Sequence, residues 1–357
     1  MTNVNCLIVA STEPYAGKTG VTAVLLLEAA KRGMAAGYFK PFGTMPITTG
    51  GAETDSDASY VASLAALKAD PDVICPVVRT HALVENVLAG TAPDTVARVM
   101  KAYRTISGGA GVVFVEGPSD LSQGAAFGLD LERLAELLCG NVLLLHRPGT
   151  AELPEEILHA RDVLGDRLLG VLINDVPQAR LDATRERVVP FLEREGVRVF
   201  GVLPHDEGLS AVSVSEIVAE LDGVVLAGDE GIEEPVESFM VGAMGQEKAL
   251  RYFRRRARKA VVTGGDRSDV QLAALETDTR CVICTGGMAP SSIVLSRADD
   301  LGVPMVLVEM DTLSAVERME ALFGRVRVHD AVKVGRIREL LAQDADLDAL
   351  FTEFLGS

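Results

Sequence analysis

Positive charge is scarce in this chain: 34 Lys and Arg stand against 51 Asp and Glu, a formal net charge of −17. A broadly acidic surface repels phosphate backbones, so nucleic acid and anionic membranes are excluded as main partners. Cysteine is scarce too, and its count of five is odd, which excludes a disulfide framework. Only Cys281 and Cys284 lie close together. A C-x2-C pair without a second pair or a nearby His pair is weak for zinc, and this one sits in a strand-like run. Strand alternation sends positions 281 and 284 to opposite faces, which predicts buried structural thiols. The histidines (His81, His146, His159, His205 and His329) show no ligand spacing. No apolar run approaches the ~18 residues of a membrane span, and no charged-then-apolar leader opens the chain, so a cytoplasmic protein is expected. What remains is 48% hydrophobic and 24% charged over 357 residues, the profile of a soluble globular protein with room for two domains.

The stretch 4–32 reads as strand, loop and helix. Leu7, Ile8, Val9 and Ala10 form a short, uniformly apolar run suited to a strand covered on both faces, and 22–32 is rich in Ala and Leu, as a helix would be. The loop between them, Ser11-Thr12-Glu13-Pro14-Tyr15-Ala16-Gly17-Lys18-Thr19, is nearly a P-loop, G-x-x-x-x-G-K-[ST]. In that motif backbone N–H groups wrap a phosphate, Lys supplies a point charge and Ser or Thr binds Mg2+. Gly17, Lys18 and Thr19 match; Thr12 stands where the first Gly belongs.

Further pieces follow in order: Tyr38-Phe39-Lys40-Pro41 after a second strand, Asp55-Ser56-Asp57-Ala58 opening a helix, Val115-Glu116-Gly117 ending another strand, Ile173-Asn174 ending a later one, and Gly201-Val202-Leu203-Pro204. With the P-loop, this set resembles the dethiobiotin synthetase group of P-loop proteins over about the first 220 residues. It is most like the version at the non-catalytic N-terminus of long phosphotransacetylases. The resemblance implies ATP and Mg2+ as cofactors: Thr12, Glu13, Ala16, Gly17, Lys18 and Thr19 at the phosphates, Asn174 at the purine, and Thr19, Asp57 and Glu116 on the metal. It makes Lys18 and Lys40 the candidate catalytic residues, since the matching Lys-Pro lysine of dethiobiotin synthetases reaches the reacting phosphate and carboxylate.

Strand-like and helix-like segments alternate along the chain. Strands are expected at 37–39, 73–78, 112–115, 141–145, 168–173 and 199–203, and helices from 57 and over 94–107, 129–138, 153–163 and 181–195. Such alternation implies a parallel sheet with helices on both faces and ligands at the carboxyl ends of its strands. The acidic, turn-rich stretch 227–236 reads as a linker, which divides the chain into an α/β P-loop domain (1–226), a smaller α/β domain (237–345) and a tail (346–357). In the second domain Asp266-Arg267 and Thr285-Gly286-Gly287 resemble the residues that name the DRTGG domain, with Gly242-Ala243-Met244 before them, and Gly264 and Gly265 lie in the first of these two Gly-rich loops. Either the backbone N–H groups of these loops face an anion with Arg267 as a bidentate partner, while Asp266 and Asp311 take ribose-like hydroxyls, or Gly264, Gly265, Gly286 and Gly287 only make tight βα turns. The basic run Arg251, Arg254, Arg255, Arg256, Arg258 and Lys259 reads as a solvated face.

Such domains accompany the P-loop module in phosphotransacetylases, whose acyl-transferring domain this chain is expected to lack. Together the modules imply an ATP/Mg2+-binding regulator or sensor tied to acetyl-CoA and acetate metabolism, with an enzyme of that metabolism as partner and a homodimer or higher homo-oligomer as its state. The alternatives are an ATP-dependent ligase activating a carboxylate, and a scaffold with a vestigial P-loop.

Dethiobiotin synthesis itself is not expected. In that family the strand end carrying the acidic residue continues into glycines that help seat the substrate, whereas here Glu116-Gly117 runs into Pro118-Ser119-Asp120. Proline has no N–H to donate, and Asp120 would place negative charge near an acidic substrate. Incubated with ATP, bicarbonate and the diamino acid substrate, the protein should release no substrate-dependent ADP. A turnover on the order of 1 per second would establish the ligase instead.

Overall fold

β1 (Asn5–Ser11) carries apolar residues at both parities, and Leu7, Ile8, Val9 and Ala10 are all buried. Such a strand must be covered on both faces. It lies inside a six-stranded sheet with β2 (Ala36–Phe39), β3 (Val112–Glu116), β4 (Asn141–His146), β5 (Leu168–Val176) and β6 (Val199–Pro204). The order is β6-β5-β4-β1-β3-β2, every pair parallel, and the register sets Val9 opposite both Glu116 and Leu143. The carboxyl ends therefore align, and everything that follows β1, β3 and β4 emerges along one edge. The computed structural model describes residues 4–49, 51–149, 153–324 and 330–356; His329 lies outside them.

On one face Ile8, Ala10, Val113, Val115, Val142 and Leu144 meet Val99, Leu134 and Ile157 from the helices Thr95–Ser107, Leu131–Leu138 and Glu155–Leu164. The other face is covered by α1 (Lys18–Lys31), which leaves β1, and by two helices from the far end of the chain. With α2 (Ser56–Leu64) counted in chain order, these are α3 (Ala331–Asp344) and α4 (Leu347–Gly356). Phe351 and Phe354 of α4 are buried against Phe114 of β3, with ring centroids 6.3 and 6.0 Å away. Arg338 Nε donates to Glu28 Oε1 at 2.7 Å, and the Arg32 guanidinium lies 4.4 Å above the Phe351 ring while pairing with Asp348. Between α3 and α4 the chain pairs Ala345 with Gly201, and Asp346 N–H donates to Phe200 O at 2.7 Å. A Cβ on Gly201 would stand 2.5 Å from Asp344 O, so this approach requires glycine.

The division into domains therefore differs from the expected 1–226, 237–345 and 346–357. Residues 4–205 with 330–356 form one compact unit, and 206–324 form the second, inserted between two parts of the first. What reads as a tail is core, because Leu350, Phe351 and Phe354 supply an apolar face that only the sheet can cover. Nor is 227–236 a linker: Ala227 ends a strand paired antiparallel with Met305–Leu307, and Val236 pairs with Val212. Acidic turn residues hide these inward-facing positions from a reading of composition alone.

The second unit has a five-stranded sheet built from β7 (Val224–Ala227), β8 (Ser238–Val241), β9 (Lys259–Gly264), β10 (Thr279–Thr285) and β11 (Met305–Leu307). Its order is β7-β11-β10-β9-β8, parallel except for the β7 edge. Cys281 and Cys284 fall in the cores on opposite faces, as alternation requires. Burial pushes both thiols up to about 12, which keeps them from acting as thiolates. The basic run splits: Arg251, Arg254, Arg255, Arg256 and Arg258 are exposed, while Lys259 turns inward and donates to Thr277 Oγ1 and Asp278 O.

Two local expectations fail. The expected strand 73–78 is a helix, Pro71–Ile74, followed by the two-residue strand Val77–Val78, because Pro71 sits at the first helical position, where its missing N–H costs nothing. The expected helix 181–195 is broken by a π-turn at Thr184–Val188.

Phe354→Ala should lower the unfolding free energy by ~3–5 kcal/mol, as for other buried phenylalanines. Denaturant unfolding that changes by less than ~1 kcal/mol would show that α4 is not part of the core.

Candidate functional site

At the end of β1 the chain turns through residues 11–17 into α1. Gly17 is the helix N-cap at φ 94°, and no side chain caps this end, whereas Asp55 caps α2 through the N–H groups of Asp57 and Ala58. The first-turn N–H groups of α1 have no intrahelical acceptors and point out of the helix toward its positive pole, which makes this end an anion seat. Thr12, in place of the first motif glycine, is tolerated because the positive φ values in this loop fall at Tyr15 and Gly17, not at 12. Its N–H donates to Leu145 O, and its hydroxyl lies 3.0 Å from His146 Nδ1.

Lys18 Nζ donates to Ser11 Oγ at 2.9 Å, and burial lowers its pKa to about 8. An arriving anion would favour its charged form further. Thr19 Oγ1 donates to Glu116 Oε1 at 3.0 Å, and Tyr38 donates its phenol proton to Glu116 Oε2 at 3.0 Å. Burial, with Glu116 alongside, holds Tyr38 well above the usual phenol range, so it remains a donor.

Lys40 is buried at the centre of the acidic residues. Its ammonium lies 2.8 Å from Asp55 Oδ1, 3.0 Å from Asp57 Oδ2 and 2.9 Å from Glu116 Oε1. Burial alone would lower its pKa; the carboxylates of Glu116, Asp57 and Asp55 outweigh it and hold the lysine well above its ordinary value. Thr19, Asp57 and Glu116 are thus brought to one place, Glu116 meeting the Thr19 hydroxyl and sharing the Lys40 ammonium with Asp57. They are hard oxygen donors of the kind Mg2+ takes, and the donor set fits that ion in kind. Among the described residues no three His, Cys, Asp or Glu side chains are disposed as a metal cluster; the carboxylates close on the ammonium instead.

Asn174, near the end of β5, lies against the phosphate turn. Its Nδ2 donates to Ala16 O at 2.9 Å and lies 2.8 Å from where a Cβ of Gly17 would be. The amide braces the phosphate turn with one of its two N–H groups. Ser11, Tyr38 and Asp55 were not among the expected site residues, although each touches one. Only Asp55, as a helix-capping residue two positions before Asp57, carries a local signal for its place. Asp120 turns onto its own loop, accepting from Ser122 and Gln123.

Sequence reasoning also missed the rim. A cavity of about 240 Å³ opens beside Thr12 and Glu13, lined by His146, Arg147, Glu156 and Arg180 among others. Arg147 pairs with Glu13 at 3.1 Å and with Asp175, which in turn meets His205. These residues lie too far apart in the chain for any spacing motif to join them.

In the second unit the glycine loops are placed at the carboxyl ends of β9 and β10, but their N–H groups are not open to an anion. Gly265 N–H donates to Thr285 O, Arg267 N–H to Gly264 O, Gly286 N–H to Met310 O and Gly287 N–H to Val308 O. The glycines serve backbone geometry: a Cβ on Gly265 would stand 1.7 Å from Met288 O, and Gly286 and Gly287 are left-handed. The Arg267 fork is already bidentate on Asp269, and Asp311 caps the helix Thr312–Phe323 through the N–H groups of Leu313 and Ser314. Asp266 sits over Gly264, and Thr285 Oγ1 pairs with Thr312 Oγ1 at 2.7 Å. Buried Gln271 gives its Nε2 to Gly264 O and Gly265 O, and its Oε1 has no hydrogen-bond partner among the described residues.

The parallel sheet, the uncapped helix and the Gly17-Lys18-Thr19 turn define the first unit as a P-loop NTPase-like α/β domain. The chain belongs to the AAA domain family that matches residues 5–213, more than half its length, and it carries a DRTGG domain over residues 216–322. It is 23% identical to the phosphate acetyltransferase of Pseudomonas aeruginosa over 371 aligned positions, covering 94% of this chain and 50% of that protein. It is 29% identical over 108 residues to the uncharacterized protein YtoI of Bacillus subtilis, covering 30% of this chain and 24% of that one. The chain thus spans at most about half the length of these curated relatives. Among solved structures, the CBS and DRTGG regulatory region of Clostridium perfringens pyrophosphatase, complexed with its activator diadenosine tetraphosphate, is 17% identical. That match covers 44% of this chain and 77% of that one, with a TM-score of 0.30. Among the described residues no helix is long and apolar enough to cross a membrane.

Gly17→Ala should destabilise the first unit by about 1–3 kcal/mol, because it places a Cβ at left-handed φ and against Asn174. A loss below ~0.5 kcal/mol in denaturant unfolding would mean the turn relaxes freely and is not held in this shape.

Proposed function

We propose that this chain is a nucleotide-binding regulatory protein: its P-loop unit holds ATP with Mg2+, and its DRTGG unit senses a second small ligand. The observation that carries this reading is the amino end of α1, where an uncapped helix, left-handed Gly17 and the Lys18 ammonium converge at the mouth of the turn. The phosphates would lie against residues 13–19, with the N–H groups of the first turn and Lys18 as donors. Mg2+ would add neutralisation of phosphate charge, held by Thr19, Asp57 and Glu116. Lys40, beside those carboxylates, is the further candidate for contact with the terminal phosphate.

The similarity to phosphate acetyltransferase over most of this chain supports a link to acetyl-CoA and acetate metabolism, with an enzyme of that metabolism as partner. A cytoplasmic homodimer or higher homo-oligomer belongs to the same reading. For the DRTGG unit the ligand would be met by side chains at the carboxyl edge of its sheet, since the glycine N–H groups there are spent. The ligase alternative has the buried Lys40 in its favour.

Millimolar ATP with Mg2+ should raise the melting temperature, since a ligand at 100 times its Kd contributes about 2.7 kcal/mol. Lys18→Ala should abolish the shift. A wild-type melting curve indifferent to ATP would favour a scaffold with a vestigial P-loop.

A further inference from the structure

The Lys40 ammonium lies 2.8 to 3.0 Å from an oxygen of each of Asp55, Asp57 and Glu116, pairing with all three carboxylates and donating to Asp57 Oδ2. Two of those carboxylates are the ones expected to hold Mg2+. A divalent ion and an ammonium cannot share such a seat: both need the same oxygen lone pairs, and two cations a few Å apart in a buried place repel strongly.

We propose that Lys40 is the resident cation of the metal seat. Without nucleotide it holds Asp57 and Glu116 and keeps divalent ions out. An incoming triphosphate draws the ammonium onto phosphate oxygen, and the seat opens for the metal that arrives with it. The second half rests on the P-loop unit being a nucleotide site; the first half does not.

The surrounding contacts permit the exchange. Asp55 stays satisfied without the lysine, because Oδ1 accepts from the N–H groups of Asp57 and Ala58, and Oδ2 accepts from Met45 N–H at 2.9 Å. Glu116 keeps the hydroxyls of Thr19 and Tyr38. Withdrawing the ammonium therefore strips neither carboxylate of its donors, and the long lysine stem allows the head to move while its backbone N–H stays on Ile74 O. The consequence is ordered binding: the unit responds to the metal–nucleotide complex and is indifferent to free Mg2+.

The test is Mn2+ binding in the absence of nucleotide, followed by electron paramagnetic resonance on the full chain and on Lys40→Met. The wild type should bind Mn2+ at least tenfold more weakly than the variant. Equal affinity, or weaker binding by the variant, would overturn the proposal. If Lys40→Met does not fold, the wild type decides the matter through its 15N-labelled lysine ammonium signals. The Lys40 signal should be unmoved by millimolar Mg2+ alone and shifted by Mg2+ with ATP. Displacement by Mg2+ alone, or no shift with a nucleotide that calorimetry shows to be bound, would contradict it. If calorimetry finds no ATP binding, the nucleotide reading fails, and the Mg2+-alone response and the Mn2+ comparison still judge the blocking role.

Discussion

Burial of charge at the carboxyl edge of the first sheet is the constraint on which the rest of the P-loop unit depends. Asp55 and Glu116 are almost wholly withdrawn from solvent, and ionised carboxylates in such a place must be paired or they neutralise. Lys40 supplies the pairing. For it to reach all three partners, β2 must lie directly beside β3, and α2 must begin where Asp55 can both cap the helix and meet the ammonium. The parallel register that sets Val9 opposite Glu116 then brings the P-loop within a hydroxyl's reach of the same cluster, through Thr19.

The sheet that holds this edge in place is completed from far along the chain. α3 and α4 cover the face on which α1 lies, so the helix that presents the phosphate turn also packs against residues that follow the DRTGG unit in sequence. Glu28 of α1 takes the Arg338 guanidinium, and Arg32, just past its end, stacks on Phe351. Through these contacts the segment leaving the second unit bears on the P-loop helix.

What the sequence made legible follows the range of the forces involved. β1, the P-loop turn and Glu116 are visible because apolar runs, glycine punctuation and strand ends are local signals. The pairing of Cys281 and Cys284 with opposite cores follows from strand period alone. The return of Phe351 and Phe354 to Phe114 leaves no local mark, since a short amphipathic helix near a chain end looks the same docked or free. Asn174 shows why residue type does not fix a role: an amide at a strand end can read a base, brace a loop or do both, and only the proximity of Ala16 O shows the brace. The glycines of the second unit teach the same lesson, because their freedom of φ was legible while the destination of their N–H groups was not.

A crystal structure of the full chain grown with Mg2+ and a non-hydrolysable ATP analogue tests the central claim most directly. The account predicts phosphate oxygens against the N–H groups of residues 13–19 and Lys18 Nζ, with Thr19, Asp57 and Glu116 on the metal. A saturating analogue that leaves this turn empty, or that binds only in the DRTGG unit, would contradict it.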